Sequence, residues 1–423
     1  MINIQAFSRR NLVRAASNLR KRKSLDTLNA EALKAANEIQ NHQFQFGELG
    51  TKRSNSKTTY FFTDPKSKLV EAKVNDNLKR RYNVKPNDRS VTVSQIKTLL
   101  SEGGPFFILK LDIKSFFERI DRAKLIQELC SEMLVSTETQ WLLKKLDSNF
   151  TAQKIIGLPR GLSMSTTLSE IALSEFDGLI RAMPGVYYYS RYVDDILVFC
   201  FKNEKKIKKD IESLLKKLRN LDVNEEKSDE YIIQCKCRGQ CVCPSGNCKC
   251  RLRCKCKETD GDIRELDYLG YKFLFTDTPS GKKPKNVEID IADKKIKKIK
   301  TRIARVFQAY KKSGNYPLTQ QRLKFLTGNY PIYRGRSEAG LKGGIYYNYP
   351  MLTRYDGLRE LDKFKRNIAR SMKHPLGRAL KLSLSSDQLD WISNISFAYG
   401  HKKKVFHKFS GKQMHEIKSC FES

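Results

Sequence analysis

The stretch Tyr189-Ser190-Arg191-Tyr192-Val193-Asp194-Asp195-Ile196-Leu197-Val198-Phe199 sets two adjacent acids between two apolar, aromatic-rich runs. Such runs favour strands, so a strand pair is predicted over Val186–Tyr192 and Ile196–Phe201, joined by a tight turn at Val193, Asp194 and Asp195. Adjacent carboxylates repel, and a cation is their natural counterweight. Asp also favours turns. Taken alone, the stretch supports either reading.

Working outward, Leu109-Lys110-Leu111-Asp112-Ile113-Lys114-Ser115-Phe116-Phe117 places a third acid at the end of an apolar run. A strand is expected over Phe106–Ile113, entered through Gly103, Gly104 and Pro105. Nucleotidyl transfer uses two Mg²⁺ ions about 3.5–4 Å apart, one at the attacking hydroxyl and one at the triphosphate. Mg²⁺ prefers carboxylate oxygens, phosphates and water. Asp112, Asp194 and Asp195 on neighbouring strands would supply that charge.

The composition agrees with a polyanionic partner. The 423 residues carry 81 Lys or Arg against 46 Asp or Glu, a net charge of +35 that opposes compaction unless it is neutralised. Nucleic acid is the first candidate, because Lys and Arg release counterions from phosphates; a membrane surface is the second. No apolar run reaches the roughly 20 residues a bilayer span needs, so no membrane partner and a cytoplasmic location are expected. Residues 1–24 hold no acid and seven Arg or Lys. That composition suits an organelle transit peptide or, the preferred reading, a basic helix that contacts RNA.

The motifs fall in the order of a known family. Asp112–Phe117 resembles the first palm motif of reverse transcriptases, with Phe117 where that family sets a steric gate against the sugar 2′-OH. Gly157-Leu158-Pro159-Arg160-Gly161-Leu162-Ser163 resembles the turn and helix that support template and incoming nucleotide. Tyr192-Val193-Asp194-Asp195 resembles the catalytic hairpin. Asn224-Glu225-Glu226-Lys227 resembles the motif whose Lys protonates pyrophosphate, and Leu269-Gly270-Tyr271 the primer grip. The resemblance covers residues 60–280 well and the thumb loosely. It implies catalysis by Asp112, Asp194, Asp195 and Lys227. It implies two Mg²⁺ at Asp112, Ile113, Asp194 and Asp195, and nucleotide contacts from Ile113, Phe117, Arg160 and Gly161. By position, Lys73, Arg80 and Arg81 are candidates for gripping the triphosphate.

The style is bacterial, similar to retron and group II intron enzymes. Arg160–Ser165 and Arg191–Asp195 look most like the defence-associated, antiphage members. Two positions depart: Arg160 stands where many relatives carry Gln, and Val193 where they carry Ala. No RNase H or endonuclease segment is recognisable, which favours a defence or host-adapted role over transposition.

Eight of the eleven cysteines crowd into residues 235–256. A disulfide framework would spread along the chain; a cluster points to metal. Cys235, Cys237, Cys241 and Cys243 recur at the same spacing as Cys248, Cys250, Cys254 and Cys256. Each half offers the four thiolates of a structural Zn²⁺ site, although a shared cluster, pairing across the halves or an iron–sulfur centre is also compatible with the C-x-C spacing. Interleaved Lys and Arg would offset thiolate charge or touch RNA.

The expected fold is α+β: a right-hand polymerase with fingers, palm and thumb, an antiparallel palm sheet and a mostly helical thumb. The expected organisation is a basic helical extension over 1–60, fingers and palm over 61–285 with the Cys-rich insert at 235–257, and a basic helical RNA-binding region over 286–423. From about residue 290 the chain carries over half of the net charge. The expected function is RNA-directed DNA synthesis in antiphage defence. The partners would be an RNA template (a dedicated noncoding RNA), the DNA product, dNTPs and, as an option, a second reverse transcriptase or copy of the chain. The alternatives are a polymerase that needs no external template or primer, and a catalytically silent RNA-binding subunit.

Overall fold

The structure is a computed structural model that describes residues 4–16, 24–54, 57–85, 88–102, 106–201, 204–233, 263–276, 286–332 and 341–421. It divides into two compact units, one of residues 1–87 and 105–234, the other of 88–104 and 235–423. The expected boundary at 285/286 therefore differs from the division between the units. The eight clustered cysteines lie outside the described residues.

The first unit is built on a four-stranded antiparallel sheet. Its order is Val186–Tyr192, Asp195–Cys200, Phe106–Asp112 and Asp229–Ile233. Asp195–Cys200 is an inner strand, buried from Ile196 to Cys200, which is why it reads as an unbroken apolar run rather than an alternating one. Leu109, Leu111, Ile196, Val198 and Cys200 share one core with Leu168, Phe176 and Ile180 of the helices Ser163–Ala172 and Ser174–Arg181. Those two helices part at Leu173, whose backbone (φ −104°, ψ 6°) leaves the helical region.

The same unit holds the helices Arg9–Ala15, Leu25–Gln40, Pro65–Arg81, Arg122–Ser131, Thr137–Ala152 and Glu204–Arg219. Their starts follow capping chemistry. Asp64 accepts from the Ser67 amide ahead of Pro65, and Ser24 and Ser136 do the same for their helices. The expected helical extension over 1–60 instead ends in most of a hairpin, Leu49–Ser54 with Lys57–Phe62, in register Leu49 to Phe62. Its second strand is half-buried over Thr58–Tyr60 and opens with Lys57, Thr58 and Thr59, so no apolar alternation marks it.

The second unit contains a three-stranded antiparallel sheet, Ile263–Tyr268, Tyr271–Thr276 and Glu288–Ile291. Its first two strands form a hairpin turning at Leu269 and Gly270, both with positive φ, as a two-residue turn of the primed kind requires. Helices Arg89–Ser101, Asp293–Ser313, Tyr316–Thr327, Asp356–Arg370, Pro375–Ser383, Ser386–Asn394, Phe397–Lys402 and Gly411–Ser419 make up most of the rest. In Asp293–Ser313, Ile296 and Ile303 are buried while Lys294, Lys297 and Lys298 are exposed. No helix of the described residues is long and apolar enough to cross a membrane.

Candidate active site

Asp112 ends one inner strand and Asp195 begins the other, and the two face each other in register. Directly opposed residues of an antiparallel pair share a face, and like charges there are destabilising. Asp194 occupies the hairpin turn that joins Val186–Tyr192 to the Asp195 strand. Its carbonyl accepts from the Ile113 amide at 3.0 Å, which ties the turn to the end of the Asp112 strand. Val193 takes the left-handed conformation at φ 61°.

Asp112 and Asp194 line a cavity of about 530 Å³, together with Ile113, Lys114, Glu118, Arg160 and the Val223–Lys227 segment. Asp195 is half-buried and is not part of that lining. Among the described residues no three His, Cys, Asp or Glu side chains converge as a metal site. The structure thus brings Asp112 and Asp194 to the cavity and Asp195 to the adjoining strand position. All three present hard carboxylate oxygens, the donor type that Mg²⁺ takes. Cation binding would also relieve the Asp112–Asp195 opposition, so the donor set fits the ion the family implies.

Lys227 reaches the cavity as expected. Its 3₁₀ turn, Glu225–Lys227, follows Asn224, whose amide donates to the Asp112 carbonyl at 2.7 Å. The Asn224 side chain and the Lys227 ammonium approach Asp112 Oδ1 at 3.2 and 3.4 Å.

The turn at Gly157–Gly161 is clamped from both sides. Leu158 donates to the Phe117 carbonyl at 2.8 Å, and Tyr60 donates to the Arg160 carbonyl at 2.6 Å. Both glycines have positive φ, and a Cβ would lie 2.3 Å from the Phe117 carbonyl oxygen at Gly157 and 2.7 Å from that of Tyr60 at Gly161. The following helix is anchored by buried Glu71, which accepts from the Met164 amide at 2.8 Å and the Ser163 hydroxyl at 3.0 Å. Burial pushes the Glu71 carboxyl up despite these bonds. Phe117 itself is buried, with the Arg160 guanidinium 4.7 Å above its ring. Arg160 is held by Glu118 at 2.6 and 3.0 Å, and this bond draws the Glu118 carboxyl below its ordinary range.

The finger cations need correction. Lys73 is 2% exposed, and its ammonium donates to the Ile4 carbonyl at 2.7 Å and to Asn77 at 2.5 Å. It braces the N-terminal segment and is withdrawn from solvent, so it cannot grip a triphosphate in this arrangement. Arg80 pairs with Asp76 on the same helix at 2.9 Å, and Arg81 is exposed; neither lines the cavity. Lys57, at the start of the second hairpin strand, does line it. The sequence alone did not single out Lys57, because it sits in a polar stretch with no motif around it.

Arg191 was also missed. It is buried, bonded to Asp177 at 2.7 and 2.8 Å and to Glu170 at 2.8 Å, and it donates to the Val193 carbonyl at 3.0 Å. Tyr189 adds a hydroxyl to Asp177 at 2.6 Å. The signal available was an Arg on an otherwise apolar strand, with acids on the preceding helices.

Residues 23–273 match the family of reverse transcriptases, the RNA-dependent DNA polymerases. That is more than half of the chain, which therefore belongs to this family of nucleotidyltransferases and has its right-hand polymerase fold class, α+β with an antiparallel palm sheet. No curated protein matches the chain. Two similar solved structures are telomerases in complex with a TWJ fragment of telomeric RNA. The one from Candida albicans is 13% identical with a TM-score of 0.37, over 90% of this chain and 62% of that one. The one from Candida tropicalis is 13% identical with a TM-score of 0.37, over 92% and 67%.

Proposed function

We propose that this chain is an RNA-directed DNA polymerase whose reaction centre is the cavity at Asp112, Asp194 and Lys227. The observation that carries the reading is the in-register opposition of Asp112 and Asp195, with Asp194 in the hairpin turn just before Asp195. Asp112, Asp194 and Asp195 would hold Mg²⁺, which supplies Lewis-acid activation of the 3′-hydroxyl and charge neutralisation on the triphosphate. Lys227 stands beside Asp112, in place to give a proton to departing pyrophosphate. Lys57, which lines the cavity, is read as the phosphate-facing cation in place of Lys73, Arg80 and Arg81. Phe117 holds the position where the family sets its steric gate, which supports a preference for dNTPs.

The finer reading is antiphage defence with a dedicated noncoding RNA. Its support is the likeness of Arg160–Ser165 and Arg191–Asp195 to defence-associated enzymes. The eight cysteines of 235–256 are read as structural Zn²⁺ ligands, and the basic helices after residue 286 as an RNA-binding surface.

The test is extension of a DNA primer by the purified chain on an RNA template, with dNTPs and Mg²⁺. Template-dependent product supports the reading. Product made equally well without a template would favour the template-free alternative, and no product under either condition would contradict the polymerase reading.

A further inference from the structure

Phe117 sits in a poor position to act as a rigid wall unaided. Its helix, Phe116–Arg119, is four residues long and begins after Ser115 in the left-handed conformation. So short a helix has almost no hydrogen-bond ladder of its own, so neighbours must hold it. The backbone is held by the Leu158 amide on the Phe117 carbonyl. The ring is packed in the hydrophobic core, with Phe116 edge-on at 5.5 Å and the Arg160 guanidinium 4.7 Å above its face.

Arg160 can serve in this way because Glu118, the residue after Phe117, grips it. One side chain therefore stacks a flat cation on the ring while its edge makes two hydrogen bonds to the neighbouring carboxylate. Only a guanidinium combines a planar stacking face with a two-pronged donor edge. The Gln of many relatives has no charge, and a Lys has no plane. Arg160 and Glu118 both line the cavity that Asp112 and Asp194 enter, whereas Phe117 does not. The gate ring lies beneath the ion pair.

We propose that the Arg160–Glu118 pair is the lock that holds Phe117 in its sugar-excluding position, making Arg160 a positioning residue for sugar selectivity rather than a template contact. This rests on the polymerase reading above and deepens it. Loosening the pair frees the ring to turn aside, and ribonucleotides enter.

The experiment compares kcat/KM for a dNTP and the matching rNTP in the full chain and in Arg160→Gln, Arg160→Lys and Glu118→Gln. Each variant should lower the dNTP-to-rNTP ratio by roughly tenfold, one missing interaction's worth of discrimination. The double variant Arg160→Gln with Glu118→Gln should add little, because both changes open the same lock. Using both partners keeps the test intact if one variant fails to fold, which thermal unfolding reports. Two results would overturn the proposal. One is an unchanged ratio in folded variants. The other is a KM raised equally for both sugars in Arg160→Gln and restored in Arg160→Lys, which would make Arg160 a simple phosphate cation. If the unaltered chain incorporates neither nucleotide, the polymerase reading fails instead.

Discussion

Arg191 donates from Nη1 to the backbone carbonyl of Val193 at 3.0 Å, and so bolts the left-handed turn before Asp194 to a buried ion-pair network. Burial disfavours the Arg191 charge, but Asp177 and Glu170 outweigh it and raise its proton affinity further. Removing one partner of a buried pair strands the others and costs about 3–5 kcal/mol. Arg191→Met should lose stability on that scale in denaturant unfolding. Arg191→Lys keeps a charge but cannot serve Asp177, Glu170 and Val193 together. It should fold, with kcat at least about tenfold lower and the KM for dNTP little changed. Wild-type kcat in Arg191→Lys would show that the turn needs no such bolt.

A second buried cation gives the C-terminal unit a pH dependence. Lys365 is fully buried and donates to the carbonyls of Ile392 and Ser393 in the last turn of the helix Ser386–Asn394. These are carbonyls that a helix end leaves without internal partners. Burial pulls the Lys365 ammonium down to about 8 from 10.5. Between those values the unfolded chain binds more protons than the folded one, so stability attributable to Lys365 rises with pH across the window. Below it both states are charged and the burial penalty is complete. Relative to Lys365→Met, the wild type should gain ~2 kcal/mol between pH 7 and pH 10 in chemical denaturation. A pH-independent gap would mean that Lys365 is neutral, or well solvated, throughout.

The basic helix Asp293–Ser313 offers a sharper version of the charge argument. Lys294 and Lys298 are exposed on one face, whereas Arg302 is half-buried with its guanidinium 5.7 Å from the Phe421 ring. Phosphate contacts are lost one counterion at a time, each lowering the salt slope by roughly 0.7–0.9. Neutralising Lys294, Lys298 and Arg302 should therefore remove roughly two contacts from the RNA-binding slope, not three, because Arg302 is partly engaged in packing. Affinity across a salt series, wild type beside triple variant, measures it. An unchanged slope would leave this face merely solvated.

What the sequence disclosed, and what it hid, follow from the range of the interactions. The strand pair around Asp194 and Asp195 was legible because apolar, aromatic-rich runs flank the acids on both sides. The motif at Asn224–Lys227 was legible from its order along the chain. Lys73 was misjudged because its partner carbonyl belongs to Ile4, far away in sequence, and nothing local marks a lysine for burial. The Lys57–Phe62 strand was hidden because its opening run of Lys57, Thr58 and Thr59 shows no apolar alternation. Arg160 was noticed as a departure, but its meaning depended on Glu118, a contact between separate motifs.

The cysteine segment makes a prediction independent of the fold. Eight thiolates in two equal sets should hold about two Zn²⁺ per chain. Elemental analysis of protein purified without added metal decides it. A stable, metal-free chain with eight freely titrating thiols in 235–256 would rule it out.

The most direct test of the catalytic assignment is Mg²⁺-dependent dNTP incorporation by the wild type beside Asp194→Asn, Asp195→Asn and the double variant, each checked for folding by circular dichroism and thermal unfolding. Replacing a carboxylate by its amide keeps shape and removes the charge that would hold the ion. Incorporation should fall by at least about a thousandfold, roughly 4 kcal/mol of lost transition-state stabilisation, while the folded state persists. Undiminished synthesis by the folded double variant would contradict it.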